Sequence, residues 1–271
     1  MISASIVLYH NKFEEISSLI NSILNSVEVN ISNIFLVDNS NNDSLKKLKF
    51  IDKKVIYIFN NKNLGYGKGH NIGLRIALKE KNKYHIVINP DIELGDTVIQ
   101  KIVGFMNENP DVGQVMPKVL YPNGQVQYLC KLIPTPFDLF IRIFIPKKIF
   151  KKRRNIFQLK FTNYDKIMEV PYMSGCFMFL RTKVLDDIGL FDERFFMYPE
   201  DIDLTRRINE KYKTIFYPKT FIYHAHAKES FKKIKLLYIH LFNLIIYFNK
   251  WGWIFDSKRR IINKRILKQL N

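Results

Sequence analysis

The chain of 271 residues is long enough for one large α/β domain, alone or with an extension, and its apolar content of 47% excludes a disordered protein. Its two cysteines, Cys130 and Cys176, have no CxxC spacing, which excludes a disulfide framework and suits a reducing compartment. The net charge of +18 is concentrated in residues 147–160, with seven Lys or Arg and no acid, and in residues 228–271, with eleven against two acids. Such blocks suit nucleic acid, anionic lipid or an anionic substrate.

Two features bear on the location of the protein. Residues 1–5 run directly into an apolar strand, without a basic region or a cleavage site, so we expect no secretory signal and a cytoplasmic protein. The longest late apolar run, residues 236–248, is interrupted by His240 and Asn243. A membrane-spanning helix needs about 20 apolar residues, so we expect this segment not to cross a membrane.

Strand and helix patterns alternate along the first part of the chain. The pattern predicts strands at 2–10, 34–37, 55–59 and 84–88, and helices at 13–28, at 44–50, from the end of a glycine-rich loop at Gly73 to about Lys81, and at 95–108. This alternation is typical of an α/β fold with a mostly parallel central sheet and helices on both faces.

The strand at residues 84–88 ends abruptly at Asn89-Pro90-Asp91. Pro90 cannot donate to a strand ladder, and ligands of open α/β sheets bind at the carboxyl ends of strands. Asp91 is therefore placed to hold a divalent cation against a diphosphate, and oxygen ligands suit Mg²⁺ or Mn²⁺. The alternative is an ordinary turn in which Asp91 satisfies backbone donors.

A glycine-rich loop, residues 63–73, follows the third strand and precedes a helix. Its glycines at alternate positions would let the backbone approach a ligand closely, and the helix N-terminus favours anions. The spacing is not that of a dinucleotide-binding fingerprint, and no GK[ST] sequence occurs. The alternative is a tight strand-to-helix connection.

In the second half of the chain, predicted strands flank a long segment without a regular pattern. Strands are predicted at 112–121 and 175–180, whereas residues 134–168 are basic, aromatic and irregular, and we expect a mobile insertion over the site. A helix begins near Glu200, with its acids in the first turn behind an aromatic cluster. Charge–dipole stabilisation accounts for one or two of these acids, but a carboxylate beside aromatic residues also suits a general base.

Together these motifs resemble the inverting family-2 glycosyltransferases of the GT-A fold, especially the rhamnosyltransferase-like branch of bacterial surface-polysaccharide biosynthesis. The resemblance covers about residues 3–230. Its marks are Val37-Asp38-Asn39-Ser40, Asn63-Leu64-Gly65-Tyr66-Gly67-Lys68-Gly69-His70-Asn71, Asn89-Pro90-Asp91, Ser174-Gly175-Cys176, Tyr198-Pro199-Glu200-Asp201-Ile202-Asp203-Leu204 and His224-Ala225-His226 with Ser230.

The resemblance implies a role for each matching residue. Asp201 is the expected base, and Asp91 with His226, or less favourably His224, is expected to bind Mg²⁺ or Mn²⁺. The family often has a second Asp where this chain has Asn89. The residues expected to bind the nucleotide sugar are Tyr9, Asn11, Asp38, Ser40, Asn63, Gly65, Gly69, Asn71, Asn89 and Asp91.

The implied reaction is transfer of a sugar with inversion, rhamnose from dTDP-rhamnose being favoured over a UDP-hexose or UDP-galactofuranose. The implied acceptor is a hydroxyl of a lipid-linked, lipopolysaccharide or capsule saccharide. A basic nucleic-acid-binding protein is disfavoured because the charge avoids the α/β part and no known nucleic-acid motif occurs. A nucleotidyltransferase would need a Gly-rich basic loop directly after the first strand, and residues 10–13 are not one.

We expect a catalytic domain at 1–230 and a basic amphipathic helical tail at 231–271. One interpretation places the apolar stripe of the tail on the anionic inner face of the cell membrane, as a peripheral contact, with Trp251 and Trp253 at the interface. The other packs the stripe on the catalytic domain or on a second subunit of a homo-oligomer. The stripe consists of Leu236, Leu237, Ile239, His240, Leu244, Tyr247 and Phe248.

Overall fold

The structure, a computed structural model, describes residues 1–146, 148–225 and 234–270. The strands are β1 (Ile2–Leu8), β2 (Ile31–Asp38), β3 (Val55–Phe59), β4 (Tyr84–Ile88), β5 (Ile92–Leu94), β6 (Val112–Leu120), β7 (Cys130–Lys131), β8 (Met168–Glu169), β9 (Tyr172–Met173), β10 (Phe177–Arg181) and β11 (Lys213–His224). The helices are α1 (Phe13–Leu24), α2 (Tyr66–Lys79), α3 (Val98–Glu108), α4 (Pro136–Phe144), α5 (Lys151–Phe157), α6 (Thr182–Ile188), α7 (Glu200–Asn209), α8 (Ile234–Trp251) and α9 (Ser257–Leu270).

The central sheet has the order β3-β2-β1-β4-β10-β6-β11-β5, with β8 paired to β11. The first four strands are parallel to one another, and β6 and β11 are also a parallel pair. Strand β10 runs antiparallel to both β4 and β6. The prediction of a mixed α/β fold with a mostly parallel central sheet is therefore confirmed.

The two faces of β1 show how the helices cover both sides of the sheet. Ala4, Ile6 and Leu8 are fully buried in the core that also contains the inward side of α1. The alternate residues, Ser5 and Val7, meet the glycines of α2 instead. Because successive strand residues point to opposite faces, α1 and α2 lie on opposite sides of the sheet, as predicted.

Residues 134–168 are not the irregular insertion that the sequence predicted. They contain α4 and α5, which form a helical hairpin (residues 136–157). The hydroxyl of Thr135 accepts from the backbone N–H of Asp138, and the Asp138 carboxylate accepts from the backbone N–H of Thr135. Pro136 at the first position completes a strong N-terminal signal. The sequence therefore carried both a helix start signal and an apolar periodicity that the prediction overlooked.

The tail is helical, as expected, but its apolar stripe is not available to a membrane. His240, Leu244, Tyr247 and Phe248 are buried in the protein. The guanidinium of Arg206 on α7 donates to both carboxylate oxygens of Asp256, each at 2.7 Å. The prediction that these four residues insert into lipid is therefore wrong, and the interpretation that they pack on the catalytic part is correct. The reason is that α7 presents a buried charge and an apolar face that the tail must cover.

Among the residues that the structure describes, no helix is long and apolar enough to span a membrane. Helix α8 carries two buried polar side chains, His240 and Asn243, on the face that packs inward.

Candidate functional site

Asp38 is the last residue of β2 and lies, fully buried, at the carboxyl-terminal end of the parallel strands. Its Oδ1 accepts from the backbone N–H of Ser40 at 2.9 Å, and its Oδ2 accepts from the Tyr57 hydroxyl at 2.6 Å. Two causes raise the pKa of Tyr57 above its usual range: burial, which is the larger, and the hydrogen bond to Asp38. The phenol therefore stays protonated and donates. Asp38 thus fixes the turn after β2 and the neighbouring strand β3.

The turn after β1 lies beside this carboxylate. The hydroxyl of Ser40 accepts from the backbone N–H of His10 at 2.9 Å, which joins the ends of β1 and β2. Asn11 accepts from the backbone N–H of Tyr9 at 2.9 Å. The Tyr9 ring is more than half exposed at this edge. Tyr9, Asn11, Asp38 and Ser40 are therefore brought together, as the sequence predicted.

The glycine-rich loop is shaped by contacts with protein. Gly65 has φ +86°, and a Cβ there would overlap the carbonyl oxygen of Phe196. A Cβ at Gly69 would lie 2.7 Å from the Val7 side chain on β1. The glycines are needed because α2 and the segment around residue 196 pack closely, which supports the tight-connection alternative for Gly65 and Gly69. Asn63 caps the turn by accepting from the backbone N–H of Gly65 at 3.0 Å.

Asn71 is buried and ties α2 to the segment before α7. Its amide nitrogen donates to the carbonyl of Phe191 at 2.9 Å, and its amide oxygen accepts from the Phe191 backbone N–H at 3.0 Å. The same nitrogen contacts Glu193 at 3.0 Å. In this structure Asn71 positions the segment that leads to Asp201, a role that its place in the loop motif did not indicate.

Asp91 lies next to His224, and Gln127 orients the histidine ring. The Nε2 of His224 is 3.3 Å from Oδ1 of Asp91. The Nδ1 of His224 lies 3.0 Å from Oε1 of Gln127, whose amide nitrogen donates to the carbonyl of His224 at 2.7 Å. Gln127 therefore orients the ring so that Nε2 faces the Asp91 carboxylate.

The imidazole nitrogen and the carboxylate oxygen, 3.3 Å apart, are both groups that can bind a divalent cation. The preferred histidine of the sequence analysis, His226, lies outside the described residues, as does Ser230. Among the described residues no group of three His, Cys, Asp or Glu could hold a metal. A cation at Asp91 and His224 would therefore need further ligands, and a donor diphosphate has oxygens of the right kind.

Asp201 lies in the first turn of α7. Its Oδ2 accepts from the backbone N–H of Gly175 at 3.0 Å, and its side chain is nearly buried. Cys176, the residue after Gly175, accepts a hydrogen bond through its carbonyl from the backbone N–H of Asn89 at 2.9 Å. The segment Gly175-Cys176 therefore joins Asp201 to the end of β4, where Asn89 and Asp91 lie.

Glu200 is the buried neighbour of Asp201. Burial is the largest cause, and the charge of Asp201 the second, of a pKa of Glu200 that lies well above its usual range. Its Oε2 is buried without a hydrogen-bond partner among the described residues. A carboxyl in such a place is protonated at neutral pH, so Asp201 is the anionic member of the pair.

Tyr66 and Cys176 complete the wall between the two carboxylates. The Tyr66 hydroxyl donates to the carbonyl of Gly175 at 2.5 Å. Burial raises the pKa of Tyr66 well above its usual range, and the charges of Asp201 and Asp91 act in the same direction. Burial also raises the pKa of the Cys176 thiol to about 12, so this thiol is not a nucleophile at neutral pH.

Asp91 and Asp201 were predicted from the sequence, whereas three residues that position the side chains of this site were not. Gln127 orients His224, Gly175 binds Asp201, and Tyr66 holds Gly175. Gly175 and Tyr66 stood in the quoted motifs and were not assigned roles. Gln127 lies beyond the Asn123-Gly124 turn, where no local pattern indicated it.

Sequence comparison gives a match to a family model described as Glycosyl transferase family 2, over residues 5–189. The chain is 28% identical over 206 residues to the low-salt glycan biosynthesis hexosyltransferase Agl10 of Haloferax volcanii, covering 75% of this chain and 60% of that protein. It is 25% identical over 150 residues to an N-acetylglucosaminyl-diphospho-decaprenol L-rhamnosyltransferase of Mycobacterium tuberculosis, covering 54% of this chain and 48% of that protein. The chain thus spans about half to three fifths of these relatives.

Among solved structures, GalNAc-T7 with UDP, GalNAc and Mn²⁺ superposes with a TM-score of 0.61 at 16% sequence identity, covering 82% of this chain and 42% of that one. At this identity the likeness concerns the fold, and it supports the GT-A architecture expected from the sequence.

Proposed function

Because the chain belongs to glycosyl transferase family 2, we propose that it transfers a sugar from a nucleotide-sugar donor to a hydroxyl of a saccharide acceptor, with inversion at the anomeric carbon. One observation carries the proposal. Asp91 and Asp201 come from distant parts of the chain, and the segment Gly175-Cys176 links their surroundings, because Gly175 binds the Asp201 carboxylate and Cys176 binds the backbone of Asn89, two residues before Asp91. A carboxylate at the donor diphosphate and a carboxylate at the acceptor hydroxyl are what a single displacement requires.

The donor side of the site is Asp91 with His224. Their carboxylate and imidazole donors fit a divalent cation, and the mixed oxygen and nitrogen set suits Mn²⁺ at least as well as Mg²⁺. When bound, such a cation neutralises the charge of a departing nucleoside diphosphate. Gln127 keeps Nε2 of His224 directed at this position, and Asp91 is accessible to solvent over 23% of its side chain.

The acceptor side is Asp201. Its carboxylate is held by the Gly175 backbone N–H and lies beside a protonated Glu200, so one negative charge is available to take the acceptor proton. A positioned base contributes typically about 10²–10⁴-fold to the rate. The attack and the departure of the diphosphate occur in one step, so no covalent sugar–enzyme adduct is needed. The buried, protonated Cys176 agrees with that scheme.

The nucleoside is proposed to lie against the ends of β1 and β2. Tyr9 offers an exposed ring for the base, and Asn11, Asp38 and Ser40 surround it with polar groups. Asn89 and the loop from Asn63 to Asn71, with Gly65 and Gly69, are proposed to enclose the diphosphate and sugar. Support for this placement comes from the shared sheet edge of these residues, at the carboxyl ends of parallel strands.

For the substrates we propose dTDP-rhamnose as the donor and a lipid-linked saccharide as the acceptor. The M. tuberculosis relative is by its name a rhamnosyltransferase that acts on a diphospho-decaprenol saccharide, which supports this choice. A UDP-hexose or UDP-galactofuranose is the competing donor. Both donors place the same diphosphate at Asp91 and His224, so the choice depends on the base and the sugar.

The test measures nucleotide release from a panel of dTDP-, UDP- and GDP-sugars, with Mn²⁺ or Mg²⁺ and with lipid-diphosphate-linked N-acetylglucosamine as acceptor. We expect dTDP-rhamnose to give the highest kcat/KM and an Asp201→Asn protein to lose at least about 10²-fold in transfer. The control is Glu93→Gln, an exposed acid on β5 close in sequence to Asp91. Release from none of the donors, with either cation, would overturn the proposal.

A further inference from the structure

The helical hairpin at residues 136–157 exposes apolar side chains although hydrogen bonds and an ion pair hold its two helices together. Arg154 donates to the carbonyls of Ile141 at 2.7 Å and Ile145 at 2.5 Å, which closes the C-terminal end of α4. Asp138, near the start of α4, accepts from Arg153 on α5 at 2.7 Å. The large apolar residues that the hairpin nevertheless leaves exposed are Phe137, Phe140, Ile149, Phe150 and Ile156.

A second apolar surface lies on the tail, opposite its buried stripe. Between α8 and α9 the chain turns at residues 252–256, and Ile254 and Phe255 there are 75% and 89% exposed. Arg259 joins this turn to the hairpin, because its guanidinium donates to the carbonyls of Ile254 at 3.2 Å and Pro134 at 3.4 Å. The other exposed apolar residues of α8 and the turn are Tyr238, Phe242, Ile245 and Trp253.

Clustered exposed apolar side chains of this kind are typical of an interaction site, and the charge around them indicates the partner. The hairpin, residues 136–157, contains seven Lys or Arg against one acid, Asp138, and residues 257–270 contain six Lys or Arg and no acid. A two-fold dimer formed through this surface would bring like charges together, since the same patch faces itself. An anionic lipid leaflet would instead neutralise them.

We propose that the hairpin and the 252–256 turn form a membrane-docking surface, which binds the anionic leaflet of a phospholipid bilayer with its aromatic residues in the interfacial region. A cavity of about 590 Å³ lies between the hairpin and α9, and its wall combines apolar residues such as Phe150 with the charged residues Asp138, Lys152 and Arg153. The polar and apolar parts of the surface are those of interfacial membrane binding without a spanning helix.

The docking surface is connected to the site. The backbone N–H of Leu132 donates to the carbonyl of Phe157 at 3.0 Å, which anchors the hairpin to β7. Strand β7 pairs with β9, and β9 leads directly to Gly175, which binds Asp201. Docking through the hairpin would therefore bring Asp201 towards an acceptor held in the same leaflet. The docking itself does not depend on which sugar is transferred.

The experiment is sedimentation of the full chain with phosphatidylcholine vesicles, with and without about one third phosphatidylglycerol, at low and high salt. We expect binding to the anionic vesicles that salt weakens. Lys151→Glu/Lys152→Glu and Phe137→Ser/Phe140→Ser should each weaken the partition coefficient at least about ten-fold. Emission of the two tryptophans should shift to the blue on binding, and Trp253→Phe should abolish that shift, because Trp253 is the exposed one.

The matched control is Lys47→Glu/Lys49→Glu, with the same change in charge at exposed positions beside β3, at the other end of the sheet. This control should bind vesicles like the parent chain, and all variants should keep transfer to a water-soluble acceptor. The proposal is overturned if the parent chain ignores anionic vesicles at low salt, or if the control loses as much binding as the hairpin variants. A dimer that the Phe137/Phe140 variant abolishes, without vesicle binding by the parent, would assign the surface to a second copy.

Discussion

The Nε2 atom of His224 lies 3.3 Å from Oδ1 of Asp91, and Gln127 holds the opposite nitrogen of the ring. Asp91 follows β4, whereas His224 ends β11, whose backbone pairs with β5 next to Asp91. The antiparallel pair of β11 and β5 therefore creates the contact. It brings an imidazole to the carboxylate that the sequence assigned to the metal.

The first prediction concerns this contact. His224→Ala and Asp91→Ala should each raise the Mn²⁺ concentration needed for half-maximal nucleotide release, because each removes one electron-pair donor from the cation. Gln127→Leu should raise this Mn²⁺ concentration by about 10- to 100-fold, because the His224 ring loses the partner that orients it. Gln127→Glu keeps the acceptor for Nδ1 and should recover part of the loss. Titration of release with Mn²⁺ measures all four; an unchanged titration for His224→Ala would remove that residue from the site.

The second prediction separates Glu200 from Asp201. Glu200→Gln resembles the protonated form of Glu200 and should retain most of the turnover, whereas Asp201→Asn should lose at least about 10²-fold of transfer with donor binding kept. Steady-state transfer and donor binding by calorimetry give the two readouts. If Glu200→Gln is the inactive variant, the roles of the two acids are exchanged.

The third prediction follows from the raised pKa of Glu200, whose usual value is 4.5. The folded state holds this proton more tightly than the unfolded state, so wild-type stability is full below pH 4.5 and falls as the pH rises towards the folded pKa. Glu200→Gln removes that loss. Urea unfolding from pH 4 to 8 should show the variant gaining up to about 1.4 kcal/mol per pH unit over the wild type. A constant difference across this range contradicts the burial argument.

The fourth prediction concerns the tail. Asp256→Asn leaves the guanidinium of Arg206 buried, stacked on Trp251 with its charge uncompensated, and should lower the free energy of unfolding by about 3–5 kcal/mol. Glu210→Gln breaks the more exposed pair with Lys258 and should cost no more than about 1 kcal/mol. Urea unfolding followed by circular dichroism measures both. Equal, small effects would mean that the tail does not support α7.

The fifth prediction compares two glycines. Gly65→Ala introduces a Cβ at positive φ against the carbonyl of Phe196, and should cost about 1–3 kcal/mol of stability and raise the KM for the donor. Gly104→Ala is the control, because it lies in α3 with no heavy atom within 4 Å of the new Cβ, and should stabilise by about 0.5–1 kcal/mol. A Gly65→Ala protein as stable as the parent would show that the loop adjusts.

Local patterns in the sequence predicted most of the fold. Strand β3 and the start of α7 were placed correctly, because alternation, helical periodicity and acidic first turns are short-range signals. The same patterns missed the hairpin at 136–157, whose helices depend on a cap and on the cross-connection from Arg154.

The sequence by itself also determined the chemistry of the candidate site, since Asp91 and Asp201 are carboxylates at the end of a strand and the start of a helix. Only the tertiary structure decided their partners. His224, Gly175 and Asp256 reach their partners through strand pairing and burial between segments far apart in the chain. The amphipathic pattern of the tail predicts an apolar face but not what covers it, because a protein core and a lipid interface remove that face from water equally well.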